Sequence, residues 1–425
     1  MALFIHLSHL IQNSIMSRNS IMSLTKVFMD LNDAMDIVIK LEGNLNDQAF
    51  FNDINKFATT MMNGFTHSTC KALHRLKTSK PSCDTVKQMV EGNPSSLSYK
   101  DDASQMLPVQ SAMWNTHSIK YLPILAKEGI KHNVGGIDKR GGLLVADPRD
   151  DHKRNTLQLL VHVADASNVI PCDTAYLNVM KELRNAGLLV KTDVKELLYR
   201  ACHPSAKMRF EYLAEWDPDS LITGTRKGLP HIHYIINKYQ SLSSFIVYLR
   251  TSLKYYPQHI GCLFKKDTDG KTAVRSAIEK HGVDKTFKAI KDCIPTDTTL
   301  PILHHAAKDA LEDFNDFSVR YPSAIYLRDE NGRSFTQAQL AAGTKTFEND
   351  CLLFLRLSDD EIAEVDPVTK QYPFLTAATA GTGNLSTVYH LLSKNPSLLD
   401  CYREQVTRKR TEEQEEASTK KRARE

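Results

Sequence analysis

Apolar residues recur at helical spacing along most of this chain. Leu24, Val27, Phe28, Leu31 and Met35 fall at i, i+3, i+4, i+7 and i+11, a stripe on one helix face. Phe50, Ile54, Phe57 and Met61 repeat the style. Val86, Met89 and Val90 sit on a predicted helix that ends near Gly92-Asn93-Pro94. Phe245, Leu249, Leu253 and Tyr256 form a stripe ending at Pro257, and Leu385, Val388, Tyr389 and Leu392 one ending at Asn395-Pro396. Proline suits these ends because it has no N–H and does not continue a helix.

The prolines themselves repeat. Pro94, Pro218, Pro257, Pro322 and Pro396 each have an aliphatic residue three positions on: Leu97, Leu221, Ile260, Ile325 and Leu399. These aliphatics are expected to fold back and plug gaps between units, with Ile325 and Leu399 the clearest cases. Polar connectors follow, at Lys100-Asp101-Asp102, Asp267-Thr268-Asp269-Gly270 and Asp329-Glu330-Asn331-Gly332. The last two are turn signals, since aspartate bonds its local backbone and glycine supplies positive φ. A new helix then opens at Leu107-Pro108, Leu229-Pro230, Leu300-Pro301 and Tyr372-Pro373. Equivalent starts at Leu229, Thr272, Leu300, Ser334 and Tyr372 are separated by 43, 28, 34 and 38 residues. Such a period is the mark of stacked helix pairs, an all-α solenoid.

These residues resemble the ankyrin-repeat family, whose units of about 33 residues carry a turn, two antiparallel helices and a T-P-L-H-x-A signature. Leu229-Pro230-His231-Ile232-His233 and Leu300-Pro301-Ile302-Leu303-His304-His305-Ala306-Ala307 are the nearest segments, each with one extra residue between proline and histidine. Asp329-Glu330-Asn331-Gly332-Arg333-Ser334 is similar to the family's D-x-x-G-x-T turn, and Asp269-Gly270-Lys271-Thr272 is similar in part. Tyr372-Pro373-Phe374-Leu375-Thr376-Ala377-Ala378 has threonine in place of histidine. The resemblance implies an ankyrin-like solenoid over 66–400, clearest at 218–400 and irregular at 140–217. It also implies that the signature histidine bonds within its turn and orders it. Residues 1–65 form an N-terminal helical region or cap, and 401–425 a charged tail, disordered or a solvated helical extension.

Composition narrows the function more than the fold. The 425 residues carry a formal net charge of +4, with 41% hydrophobic and 24% charged residues. Outside 403–425 the basic and acidic residues number 46 and 44, so no global basic surplus points to nucleic acid. The eight cysteines form no CxxC pair, which argues for a reduced intracellular compartment and against a structural metal. No segment approaches the roughly 18 consecutive apolar residues of a membrane span. Residues 1–29 lack an acidic side chain and loosely fit an organelle transit peptide, although a frayed start is the favoured reading.

Several motifs invite chemistry and fail on spacing. Gly270-Lys271-Thr272 lacks the phosphate-loop glycine, since Lys265 stands in its place. Read as a calcium loop, Asp267–Gly270 would put Ser276 where the chelating glutamate belongs. His231, His233, His304 and His305 occupy equivalent places in two repeats, which favours turn-ordering over a metal. Cys202 and His203 are adjacent and diverge on a helix, so they do not form a nucleophile–base pair. Gly135-Gly136 and Gly141-Gly142 bracket a loop between units rather than a phosphate cradle.

The expectation is therefore a non-enzymatic protein–protein interaction scaffold that grips another protein on its concave face, with no cofactor and no metal. Turn and first-helix residues Arg226, Lys227, Lys271, Arg328, Arg333 and Lys370 are candidate partner contacts. Arg408-Lys409-Arg410 and Lys420, Lys421, Arg422 and Arg424 resemble a bipartite nuclear import signal, so the location is nuclear or cytoplasmic. Two alternatives stand beside this reading. One is a nucleic-acid-associated nuclear factor, and the other an enzyme with helical accessory repeats and an active site in 140–217.

Overall fold

The computed structural model describes residues 67–162, 173–224, 229–238, 242–343, 358–379 and 385–422. The stripes expected around Leu24–Met35 and Phe50–Met61 lie outside these residues. The fold is all-α: among the described residues helices dominate and no strand forms, with isolated bridges at Ala146–Asn155, Gly224–Pro230 and Lys266–Thr272. The chain divides into two compact units, Met1–Ser220 and Leu221–Glu425.

The first unit holds α1 (Cys83–Gly92), α2 (Pro108–Met113), α3 (Leu122–Lys131), α4 (Thr156–Val161), α5 (Asp173–Asn185), α6 (Lys191–Ala201) and α7 (Lys207–Trp216). They pack as two layers. In one, α2 lies on α4 and α4 on α6; in the other, α1 lies on α3, α3 on α5 and α5 on α7. Each helix of the first layer also packs on its successor in the chain, so α2–α3, α4–α5 and α6–α7 are pairs. The irregular stretch 140–217 thus contains two helix pairs. Their core is Leu159, Met180, Leu183, Leu198, Phe210 and Leu213, all at most 4% exposed. Sequence patterning gave no hint of Arg209, which is fully buried there. Its guanidinium pairs with Asp173 at 2.7 Å, donates to the Leu160 carbonyl at 2.6 Å and lies 5.0 Å from the Tyr176 ring centroid.

The second unit holds α8 (His231–Lys238), α9 (Leu242–Tyr255), α10 (Ala273–His281), α11 (Val283–Lys291), α12 (Ile302–Asp309), α13 (Phe314–Arg320), α14 (Phe335–Ala342), α15 (Pro373–Thr379), α16 (Leu385–Lys394) and α17 (Leu398–Arg422). The pairs are α8–α9, α10–α11, α12–α13 and α15–α16. First helices pack on first helices (α8 on α10, α12 on α14, α14 on α15), and α9 packs on α11. The predicted starts at Leu229, Thr272, Leu300, Ser334 and Tyr372 each fall within two residues of an observed helix start. The last helix continues from Leu398 through Arg422, and Arg408 and Arg410 are exposed on it.

Five of the turns that precede first helices, those before α2, α4, α10, α14 and α15, share one construction. The N–H of Asp267 donates to the Lys271 carbonyl, that of Asp329 to Arg333 and that of Asp366 to Gln371, at 2.8–2.9 Å. The carboxylate of each then accepts backbone N–H groups ahead of it. Asp267 takes those of Asp269 and Lys271, Asp329 those of Asn331 and Arg333, and Asp366 those of Val368 and Thr369. Asp101 and Asp147 do the same in the first unit, accepting from Ser104 and Arg149. Gly270 and Gly332 sit at φ of +77° and +76°, as a turn with left-handed backbone requires.

The plug residues follow expectation in three places and not in two. Leu97, Leu221 and Ile260 are at most 2% exposed, whereas Ile325 is only half-buried and Leu399 is 39% exposed. At those sites Ala324 and Leu398, two after the proline, are buried instead. Position two is also closed at Ser96 and Ser220. The turns at Pro94 and Pro322 are both five residues long, yet Leu97 is buried and Ile325 is not, so the turn alone does not decide which residue faces inward.

Candidate functional site

In five of the first helices the third residue holds one unit to the next. Gln110 of α2 accepts the Leu107 N–H through Oε1 and donates through Nε2 to the Ala146 carbonyl at 2.9 Å, in the turn before α4. Gln158 of α4 bonds Glu196 of α6. Gln337 of α14 accepts from the Ser334 N–H at 3.0 Å and donates to the Glu364 carbonyl at 3.1 Å, in the stretch before α15. His233 of α8 makes the same forward reach with an imidazole. Its Nε2 lies 2.8 Å from the Lys265 carbonyl and its Nδ1 3.2 Å from the Ser276 hydroxyl. Asp267 stands 3.7 Å from Nδ1, but burial outweighs it and holds the ring below the ordinary histidine pKa. His233 thus orders the turn of the following unit, where the resemblance implied its own.

The cations picked from sequence serve this framework more than open space. Lys271 pairs with Glu279 at 2.7 Å, Arg328 with Glu364 at 2.7 Å and Arg333 with Asp366 at 3.1 Å. The Arg333–Asp366 pair is the most enclosed, with side-chain exposures of 18% and 1%. Arg275, third in α10 and missed by sequence reading, reaches forward to Asp313 at 3.2 Å. Lys370, at φ +59°, is exposed. Arg226 and Lys227 lie outside the described residues, as does Arg424; the import-signal side chains described are those of Arg408 and Arg410. The more exposed pairs, Lys271–Glu279 and Arg328–Glu364, contribute little stability each.

One joint differs. Between α12, the Asp329–Arg333 turn and α14 lies a groove of about 270 Å³. Its walls include His304, His305 and Lys308 from α12, Asp329 and Glu330 from the turn, and Ala338 from α14. His304 is third in α12, the place from which His233 and Gln337 reach forward. It is 5% exposed, yet neither ring nitrogen makes a hydrogen bond. Burial holds its pKa down, opposed by Asp329 and by the backbone of Arg333 and Ser334, which approach the ring without reaching hydrogen-bond geometry. Phe335 meets the ring edge-on at 5.4 Å. His305 stacks on Phe264 with centroids 6.2 Å apart, and it too is held below its ordinary pKa by burial. No group of three metal-ligating side chains occurs among the described residues.

No known protein family matches this chain, and no curated protein does.

Proposed function

We propose that the chain is a non-enzymatic interaction scaffold built as an ankyrin-like repeat array, which holds a partner protein against its turns and first helices. The observation that carries the reading is the forward reach of Gln110, Gln158, His233, Arg275 and Gln337 from one helix pair to the next. Repeated bonds between successive pairs make each unit depend on its neighbours, which is how a repeat array holds an extended face in register. That face is polar and varied: Lys308, Glu330, Asn331 and Lys370 project from turns or first helices whose backbones are fixed by the Asp-headed loops. Turns held rigid by a scaffold are where recognition residues commonly sit, and their rigidity lowers the cost of binding. The tail helix, with Arg408 and Arg410 exposed, carries an import address in this reading, and the partner is met in the nucleus.

Site-specific photo-crosslinking in living cells tests the proposal. A crosslinking amino acid at Asn331 or Lys370 should trap one partner reproducibly, and the same group at Val319, exposed on the second helix α13, should not. Trapping from Val319 alone would place recognition on the opposite layer and overturn the reading.

A further inference from the structure

We infer that the groove between α12 and α14 is a subsite for a cationic side chain, a lysine ammonium or arginine guanidinium borne by an extended segment of a partner protein. This rests on the scaffold reading and names what one of its joints takes.

The first argument is the comparison of two histidines at one position. His233 has a carbonyl on one nitrogen and the Ser276 hydroxyl near the other. Ser276 is the fourth residue after the cap Thr272, and the fourth residue after the cap Ser334 is Ala338. So the hydroxyl that serves His233 has no counterpart at His304, and a groove opens where it would lie. A neutral imidazole always presents one acceptor nitrogen, and a buried acceptor left unmet calls for a donor.

The second argument is charge. Asp329 commits Oδ1 to two turn amides. Glu330 makes no ion pair among the described residues. Arg328 and Arg333, the cations that flank these acids in sequence, are bound to Glu364 and Asp366. His305 is neutral at ordinary pH because burial disfavours its charge. Lys308 is the opposing charge, and it stands at the exposed rim, one helical turn from His304. The groove therefore offers an unmet imidazole nitrogen and the half-buried Asp329 carboxylate, with Glu330 and Lys308 at its exposed rim, while the second cation in its wall, Arg333, is held by Asp366. An incoming ammonium or guanidinium matches that arrangement and an acidic group does not.

The third argument is size. About 270 Å³ is below the usual span of small-molecule pockets, roughly 300–1,000 Å³, and suits one long side chain. Ala338, Ala341 and Ala342 keep the α14 wall low enough for a peptide backbone to run across it.

The test uses full-length protein labelled with ¹⁵N at histidine, with the His304 ring signals assigned by a His304→Gln variant. The probes are the capped tripeptides Ac-Gly-Lys-Gly-NH2 and Ac-Gly-Glu-Gly-NH2. The lysine peptide should shift the His304 ring signals saturably, in the millimolar range expected of a single side chain. The glutamate peptide should bind at least tenfold more weakly. Glu330→Gln, at an exposed position, should weaken the lysine peptide at least tenfold. Ala338→Ser, which restores to His304 the hydroxyl that His233 has, should abolish the shift and raise the melting temperature. No shift with the lysine peptide, equal shifts with both peptides, or binding untouched by both variants would overturn the inference. Crosslinking from Lys370 that traps a partner in that event would leave the scaffold standing without this subsite. Lysine-peptide binding with no trapping from any turn would keep the subsite and remove the scaffold.

Discussion

Replacing Gln337 with leucine removes a joint between units while keeping the side-chain volume. Gln337 is 2% exposed, and its amide does two jobs: it accepts the Ser334 N–H at 3.0 Å and donates to the Glu364 carbonyl at 3.1 Å. A typical hydrogen bond contributes about 1 kcal/mol net, and a buried backbone group left unmet costs about 1–3 kcal/mol. Both orphaned groups here are only partly buried, so water recovers some of the loss. The sum is about 2 kcal/mol of destabilisation. For a unit of this size that corresponds to a melting temperature lower by about 4–8 °C. Urea unfolding followed by circular dichroism measures the energy, and hydrogen exchange locates it. Protection should fall most in residues 359–379, which follow the broken bond, and least in α8 and α9. A loss below about 0.5 kcal/mol, or exchange unchanged in 359–379, would refute the claim that Gln337 couples neighbouring units.

Three further outcomes follow. Gly141→Ala should cost about 3 kcal/mol or more, because a Cβ there would sit 2.0 Å from the Ala126 carbonyl at φ +64°, whereas Gly187→Ala, at φ +70° with open space around it, should cost about 1 kcal/mol in thermal or urea melts. Stability should fall on acidification from about pH 6.5 downward. His74, His233, His304 and His305 are held below the free value of about 6.5 by burial, so the unfolded chain takes up protons that the folded chain refuses; a melting temperature flat from pH 7.5 to 5 would contradict this. Deleting 403–425, where Val406 is the one half-buried side chain described, should leave the melting temperature nearly unchanged and move a fluorescent fusion from nucleus to cytoplasm, and a full-length fusion that is never nuclear would remove the import idea.

Helix positions were legible in sequence because they depend on local signals. Pro108 and Pro373 open helices at the first position, where the missing N–H costs nothing, and Asn395-Pro396 closes one. Asp267 and Asp329 announced their turns because the bonds they make lie within four residues. What sequence concealed is long-range. Pro94 and Pro322 open equal five-residue turns, yet Leu97 faces inward at one and Ala324 rather than Ile325 at the other, so the proline does not announce the choice. The cations Lys271, Arg328 and Arg333 looked free because their partners Glu279, Glu364 and Asp366 stand 8 to 36 residues away. The groove at His304 was invisible for the same reason, since it depends on Ala338 standing where the preceding joint has Ser276. A clue did exist: the two histidine-bearing starts are followed, one unit later, by different residues at that position.

A truncation series measures the central claim most directly. Chains ending after Leu327 and after Ile294 remove whole helix pairs from the C-terminal side of the second unit. In an array whose units contact only their neighbours, each shorter chain remains cooperatively folded, with helical signal in proportion to its length and a urea midpoint that steps down with each pair removed. Loss of helical signal throughout Leu221–Ile294 at the first cut would show one indivisible core and contradict the repeat account.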